Sequence, residues 1–357
     1  MKRVGHVRVF LSMAALASAA PLIHGLVVIP WPWGLLRFTT GFCFAVLYVV
    51  IESWLNERAT NDNRGFVFSV YTVINLTVLA VGQMMTLLYS PSGLQLFAVA
   101  SVLVSLAAIP IALSVSPTPE LPQAAQVDLR RLLQISPTGA AGCFVTGFAN
   151  GAFWALAPVF TFAVTGNILD AAGFMTAAVI GGAIAQWPLG VASDRIGRRP
   201  VLLAIAVLGT LAGASLVLMA GDGSTALLLI LGAAWGAFAF PLYAVSVAYA
   251  NDLAEPSEYV MMSSGLLLVY GIGAIAGPFV ASLTISAFGA GMLFVFTAAA
   301  HGLFLVFALG RMLQFKGKRH EEQVEFGDAL TASQTASQVY EEEVWQQSES
   351  DELREEA

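Results

Sequence analysis

Long apolar runs, repeated along almost the whole chain, decide what this sequence can fold into. About 20 helical residues cross a hydrocarbon core roughly 30 Å thick. Ten stretches are that long: roughly 9–29, 34–53, 65–89, 93–115, 138–164, 168–192, 200–220, 224–250, 259–286 and 288–312. Backbone polar groups find no water inside a bilayer, so continuous apolar runs of this length satisfy them as helices. The expectation is an all-α membrane protein with ten transmembrane helices. Turn chemistry separates the runs, as in Pro30-Trp31-Pro32-Trp33, Ser90-Pro91-Ser92-Gly93 and Gly221-Asp222-Gly223-Ser224. Trp31, Trp33 and Tyr89 are expected at headgroup level, where an amphipathic ring is at home.

Charge sharpens the picture. Only 11% of the 357 residues are charged and 57% are apolar, too little charge to cover a water-soluble domain of this size. From Lys316 onward the chain carries 12 acidic and 4 basic side chains, a balance of −8, which leaves +1 for the rest. The acidity therefore belongs to a Glu-, Ser- and Gln-rich tail (313–357), which is too polar to fold alone and is expected to be disordered. No basic face suits a nucleic acid. Cys43 and Cys143 lie in apolar runs far apart and read as small buried apolar residues, with no metal-ligand spacing near them.

Lys and Arg set the orientation. Lys2, Arg3 and Arg8 precede the first run, Arg58 and Arg64 follow the second, and Arg130 and Arg131 follow the fourth. Arg195, Arg198 and Arg199 follow the sixth, and Arg311, Lys316, Lys318 and Arg319 close the tenth. The opposite loops have none, so both termini are expected in the cytoplasm. One loop on the cytoplasmic side, Asp252–Glu258, breaks the pattern by being purely acidic. The start, with Ala17-Ser18-Ala19-Ala20, also has the look of a signal peptide, but its apolar run continues to Ile29, too long for one. The stretch 116–137, with Pro117, Pro119 and Pro122, reads as a cytoplasmic linker with room for a short surface helix. It divides an N-terminal bundle (1–115) of four spans from a C-terminal bundle (138–312) of six.

After the sixth run comes Gly190-Val-Ala-Ser-Asp194-Arg195-Ile-Gly197-Arg198-Arg199. Physically this is a tight inter-helix turn. Gly190 allows close approach, Gly197 supplies a permissive backbone, and Asp194 can accept from an arginine or a helix N-terminus. The spacing G-x-x-x-D-R-x-G-R-R resembles, in full, the cytoplasmic signature of the major facilitator superfamily. Arg37-Phe-Thr-Thr-Gly41 resembles the family's intramembrane arginine motif, and Gly271-Ile-Gly273-Ala-Ile-Ala-Gly277-Pro278 a glycine–proline hinge. Glu52-Ser-Trp-Leu, Asn63-Arg64-Gly65, Gln186-Trp187-Pro188-Leu189-Gly190 and Phe240-Pro-Leu-Tyr243 are similar to the YcaD-type branch of bacterial permeases. The resemblance implies a major-facilitator-like bundle in a bacterial inner membrane, working as a monomer without a cofactor. It implies alternating access, with Gly190, Asp194, Arg195, Gly197, Arg198 and Arg199 as a cytoplasmic gate. The family consists of two six-helix halves related by a parallel repeat. Placing Gly5 on Gly197 puts Arg3 on Arg195, so the chain reads as spans three to twelve of twelve.

Ionisable groups deep in a bilayer are functional candidates by default. Arg37, Gly41, Phe44, Tyr48 and Glu52 share one face of the second span at helical spacing. Arg37 is near the outer boundary, where snorkelling is the alternative, and Glu52 near the inner one, where Arg58 or Arg64 could pair with it. Glu52 is the candidate for proton coupling; with no carboxylate deeper in the membrane, facilitated diffusion stays open. Tyr71, Asn75, Asn150, Trp154, Gln186, Trp235, Tyr243 and Tyr270 are the other candidates for solute binding, each with helix packing as its ordinary alternative. Aromatic rings, amides and one cation suit a small neutral, amphipathic or weakly anionic solute. A membrane enzyme has no support, since H-E-x-x-H, G-x-S-x-G and paired intramembrane carboxylates are missing from the sequence. A transport-incompetent permease or a sensor is the remaining alternative to a secondary transporter.

Overall fold

The structure is a computed structural model, and it describes residues 6–58, 64–90, 93–113, 127–219, 224–255 and 258–314. The acidic tail lies outside the described residues, as do Lys2, Arg3 and the linker up to residue 126.

The described residues are almost entirely helical. The elements are α1 (His6–Leu26), α2 (Pro30–Arg58), α3 (Arg64–Met84), α4 (Gln95–Leu113), α5 (Leu129–Ile135) and α6 (Pro137–Thr165). They continue with α7 (Ile168–Ile196), α8 (Arg198–Met219), α9 (Thr225–Ala239), α10 (Pro241–Asn251), α11 (Tyr259–Phe288) and α12 (Met292–Gln314). Among the described residues nine stretches are long and apolar enough to cross a membrane, with α9 and α10 together forming one of them, Thr225–Asn251. The stretch expected as the third span is α3 with the 3-10 turn Met85–Leu87 that follows it, and its apolar part is the shorter Val73–Leu87. Pro241 splits the span Thr225–Asn251 because it has no N–H to give the carbonyl of Ala237. The Pro30-Trp31-Pro32 turn proves to be the first turn of α2, where a proline's missing donor costs nothing.

Packing divides the described residues into two compact units. Those within Met1–Thr72 and Met84–Gln123 form one, and those within Val73–Gln83 and Ala124–Ala357 the other. The division runs through α3 rather than through the linker alone.

In the first unit α1 packs on α2 and α4. Phe10, Ala14, Ala17, Cys43, Leu47 and Val50 form its core. Ser18 of α1 hydrogen-bonds Ser105 of α4 at 2.7 Å and Ser101 at 3.2 Å, a polar tie of the kind that holds helices together in lipid. Trp31 is 88% exposed. The Trp33 indole Nε1 donates to the carbonyls of Val27 (2.6 Å) and His24 (3.1 Å), capping the end of α1. A helix end leaves carbonyls without partners, and here a side chain supplies the missing donor.

The second unit is built on close helix pairs. On α6 and α11 the glycines are reciprocal: a Cβ at Gly147 or Gly151 would meet the backbone of Tyr270 or Ala274, and one at Gly273 or Gly277 that of Phe144 or Phe148. Likewise α7 and α9 touch through Gly181 against Ala233 and Gly236 against Ala178. Small residues let the backbones meet, which is how helices associate where lipid is as apolar as leucine. Gly273 and Gly277 are therefore packing contacts, whereas a Cβ at Gly271 would meet open space. Both cysteines are buried and free.

Candidate functional site

The signature turn is built around one arginine. α7 ends at Ile196, and Gly197 turns the chain into α8 with φ +94° and ψ 152°, a backbone that side-chain-bearing residues rarely adopt. That turn carries Arg198 inward until its side chain is 0% exposed. Its Nη1 donates to Ser193 Oγ at 2.6 Å and to Asp194 Oδ1 at 2.5 Å, and its Nε to Asp252 Oδ2 at 3.2 Å. Ser193 in turn donates to the carbonyl of Gly190 at 2.7 Å. A buried guanidinium is tolerated only when paired and hydrogen-bonded, and here it has two carboxylates and a hydroxyl.

Six residues were expected to form a gate, and the structure shows how they stand in the network around this turn. Arg198 is its centre, Gly190, Asp194 and Gly197 serve it, Arg199 is half-buried and Arg195 exposed. The residue that sequence reasoning missed is Asp252, 4% exposed, at the end of α10. Its signal was present: Asp252–Glu258 is the acidic exception among basic loops. The other end of that loop repeats the pairing. Arg131 Nε and Nη2 of α5 both lie 2.7 Å from Glu258 Oε1. The acidic loop thus receives one arginine from α8 and one from α5.

Higher in the second unit is an aromatic cluster. Trp235 stacks on Phe153 with ring centroids 4.5 Å apart, and Trp154 lies parallel to Phe240 at 5.8 Å. Phe240, at the break before Pro241, also meets Phe153 and Trp235 edge-on. Trp235 Nε1 and, one turn below Phe153 and Trp154, Asn150 Oδ1 are buried without a hydrogen-bond partner. Of the expected solute contacts, the structure gathers Trp154 and Trp235 here, beside Asn150. It sends Tyr243 and Tyr270 elsewhere: they meet edge to face at 5.1 Å beside the core around Leu132 and Cys143. Gln186 is half-buried on α7, next to Trp187, which is 75% exposed. A cavity of about 290 Å³ between α3 and α7, lined by residues such as Thr77, Val81 and Ile184, includes none of the expected contacts.

In the first unit, Tyr71 of α3 donates its hydroxyl to Glu52 Oε1 of α2 at 3.2 Å. Two residues given separate roles on sequence grounds are thus one hydrogen-bonded pair. Arg37 is exposed and, fifteen residues up the same helix, lies about 22 Å from Glu52 along the axis. Phe44 and Tyr48, between them, are also exposed, and a Cβ at Gly41 would meet nothing. Asn75, on the part of α3 that belongs to the second unit, is half-buried. The side chains of Arg58 and Arg64 lie outside the described residues.

Comparison with known proteins points to one family. The family model of the Major Facilitator Superfamily matches residues 139–339, which contain the signature turn. An uncharacterised MFS-type transporter of Enterobacter sp. (strain 638) is 29% identical over 315 residues, covering 87% of this chain and 80% of that protein. The uncharacterised MFS-type transporter YcaD of Salmonella newport is 27% identical over 315 residues, with the same coverage. Among solved structures, the nucleoside transporter NupG superposes with a TM-score of 0.65 at 15% identity, covering 88% of this chain and 85% of that one. A bacterial homologue of the human lysosomal transporter Spinster, inward-facing and occupied, gives 0.63 at 17% identity, covering 93% and 79%. At such identities the structures speak for the fold alone, but the family model covers more than half of the chain and carries the signature. The chain belongs to the major facilitator superfamily, a family of multi-pass membrane transporters rather than enzymes.

Proposed function

We propose that this protein is a secondary transporter that carries a small solute across a bacterial inner membrane by alternating access. The observation that carries this reading is Arg198. A fully buried arginine held by the ends of two separate helices, α7 and α10, is an arrangement with discrete alternatives, since a displaced guanidinium must find other partners or water. An element that is either clasped or released is what alternating access requires of its cytoplasmic side.

The solute contacts in this reading are Asn150, Trp154 and Trp235, with Phe153 and Phe240 completing the aromatic wall. Partnerless buried groups cost free energy until something meets them. An indole N–H and an amide oxygen without partners favour a solute that offers both an acceptor and a donor on an apolar body. Arg37, Tyr71, Asn75, Gln186, Tyr243 and Tyr270 are secondary candidates, with Arg37 giving room for weak negative charge. Glu52, hydrogen-bonded by Tyr71, is the proton-coupling candidate.

The test is uptake of labelled neutral and weakly anionic solutes into proteoliposomes, with and without an inward proton gradient. At least one solute should accumulate, Asn150→Ala should reduce its uptake at least tenfold, and Glu52→Gln should remove any dependence on the gradient. Uptake unchanged by Asn150→Ala would move the solute away from this cluster.

A further inference from the structure

Within the aromatic cluster of the second unit, one pair of rings is within reach. Phe153 and Trp235 are fully buried, whereas Trp154 and Phe240 are half-buried. These two lie within 4° of parallel with centroids 5.8 Å apart, an offset stack. A Cβ on Gly182 of α7 would run into the Phe240 ring, so the phenyl sits where α7 has no side chain.

Helical spacing brings two amides to this pair. On α6, Asn150 lies one turn from Trp154, and on α7 Gln186 lies one turn from Gly182, so each shares a face with its neighbour. α6 and α7 are joined at Gly166-Asn167. At 1.5 Å per residue Asn150 is about 24 Å and Gln186 about 29 Å down its helix from that turn. Both amides are thus at like depth, each one turn farther from Gly166-Asn167 than its neighbour. Asn150 Oδ1 is buried without a partner, and Gln186 has no hydrogen bond to any described residue. Gln186 is about 15 Å from the inner end of its span Leu169–Ile196, at a depth where lipid offers an amide nothing to bond.

Charge is missing from the helices that build this place. α6, α9 and α10 contain no Asp, Glu, Lys, Arg or His, and neither does α7 between Ala171 and Ser193. An ionised solute would meet no counter-charge from them and would lose its hydration. Rings accept any flat π-face without reading its edge, whereas an amide offers one acceptor and two donors in a plane.

We propose that the solute of this cluster is a flat, uncharged heteroaromatic molecule with an N–H next to a C=O, a lactam edge. Its ring extends the Trp154–Phe240 stack, its N–H donates to Asn150 Oδ1 and its carbonyl accepts from Gln186 Nε2. This rests on the reading of Asn150, Trp154 and Trp235 as solute contacts. It adds the stacked pair as the selector for flatness and Gln186 as the selector for the carbonyl. A flexible aliphatic amphiphile satisfies the amides but not the rings, and a plain aromatic hydrocarbon the rings but not the amides.

Equilibrium binding of tritiated quinolin-2-one, a flat bicyclic lactam, to the full chain in lipid nanodiscs tests this. Binding should be saturable. Octahydroquinolin-2-one keeps the lactam but not the flat ring, and N-methylquinolin-2-one keeps the ring but not the donor. Each should compete about tenfold less well, or worse. Trp154→Leu should weaken the flat probe about 5- to 150-fold, the range for losing a stacked ring, and Trp154→Phe less than about threefold. In Asn150→Ala the penalty for N-methylation should fall below about threefold, which general loosening of the bundle would not bring about. Gln186→Met should weaken the parent and its N-methyl analogue alike, by about tenfold, since both keep the carbonyl. No saturable binding, or equal binding of the flat and saturated lactams, would overturn the proposal. Binding that needs Asn150 but not flatness overturns the solute class and leaves the cluster standing. Binding untouched by Asn150→Ala overturns both.

Discussion

Replacing Asp252 with Asn isolates the charge of the buried ion pair with Arg198. The side chain keeps its shape and can still accept from Arg198 Nε, now 3.2 Å from Asp252 Oδ2, so only the negative charge is lost. Deleting one partner of a buried pair costs about 3–5 kcal/mol, because the other charge is left uncompensated. Arg198 keeps Asp194 at 2.5 Å and Ser193 at 2.6 Å, so the cost of Asp252→Asn should fall to about 2 kcal/mol. Asp194→Asn removes a carboxylate that is 32% exposed, where solvent screens the pair, and should cost about 1 kcal/mol or less. The double variant removes both of these carboxylates from beside Arg198 and should cost more than the two singles together. Equilibrium unfolding in mixed detergent micelles, run as a double-mutant cycle, measures all three. If Asp194→Asn proves the more damaging single change, or the cycle is strictly additive, burial does not govern this network and the reasoning fails.

Two glycine substitutions make independent claims. Gly271 and Gly277 belong to one stretch of α11, yet a Cβ has open space at the first and runs into the Phe148 carbonyl at the second. Gly271→Ala should be neutral or stabilising by up to about 1 kcal/mol, as for alanine on an open helix face. Gly277→Ala should destabilise by about 1–3 kcal/mol through overpacking; both are read as melting temperatures of the purified protein. At Gly197 there is room for a methyl group, but φ +94° forbids it, so Gly197→Ala should cost about 1–3 kcal/mol and loosen the turn, seen as faster exchange at residues 193–199.

Much of the fold was legible in the sequence because the bilayer imposes so simple a rule. A run near 20 apolar residues has few ways to exist in lipid other than as a helix, and the expected runs agree with the helices to within a few residues. The rule is silent on which helices touch. The stretch 271–278 looked like a hinge, but whether a glycine bends a helix or admits a neighbour depends on what lies across from it, here α6. For Trp33 the sequence holds ring type and place in the chain, not the direction of its N–H, which caps α1. Of the signature turn, the sequence carried the arginines and their spacing. It could not carry the partner of Arg198, because Asp252 lies 54 residues away and enters only through packing of α8 against α10. The acidic loop was visible as an anomaly in charge, and its explanation needed three dimensions. The candidate solute residues divided for the same reason: Trp154 and Trp235 converge through Phe153 and Phe240, while Tyr243 and Tyr270 face a different core.

The central claim, that the Arg198 clasp serves transport, is tested most directly by one comparison. Uptake of the solute identified in proteoliposomes is measured for the wild-type protein and for Asp252→Asn, matched for the amount of folded protein inserted. The account predicts accumulation by the wild type above protein-free liposomes, and at least a tenfold slower rate for the variant with solute affinity little changed. Equal rates for the two, or no uptake by well-folded wild-type protein across the whole solute panel, would contradict it.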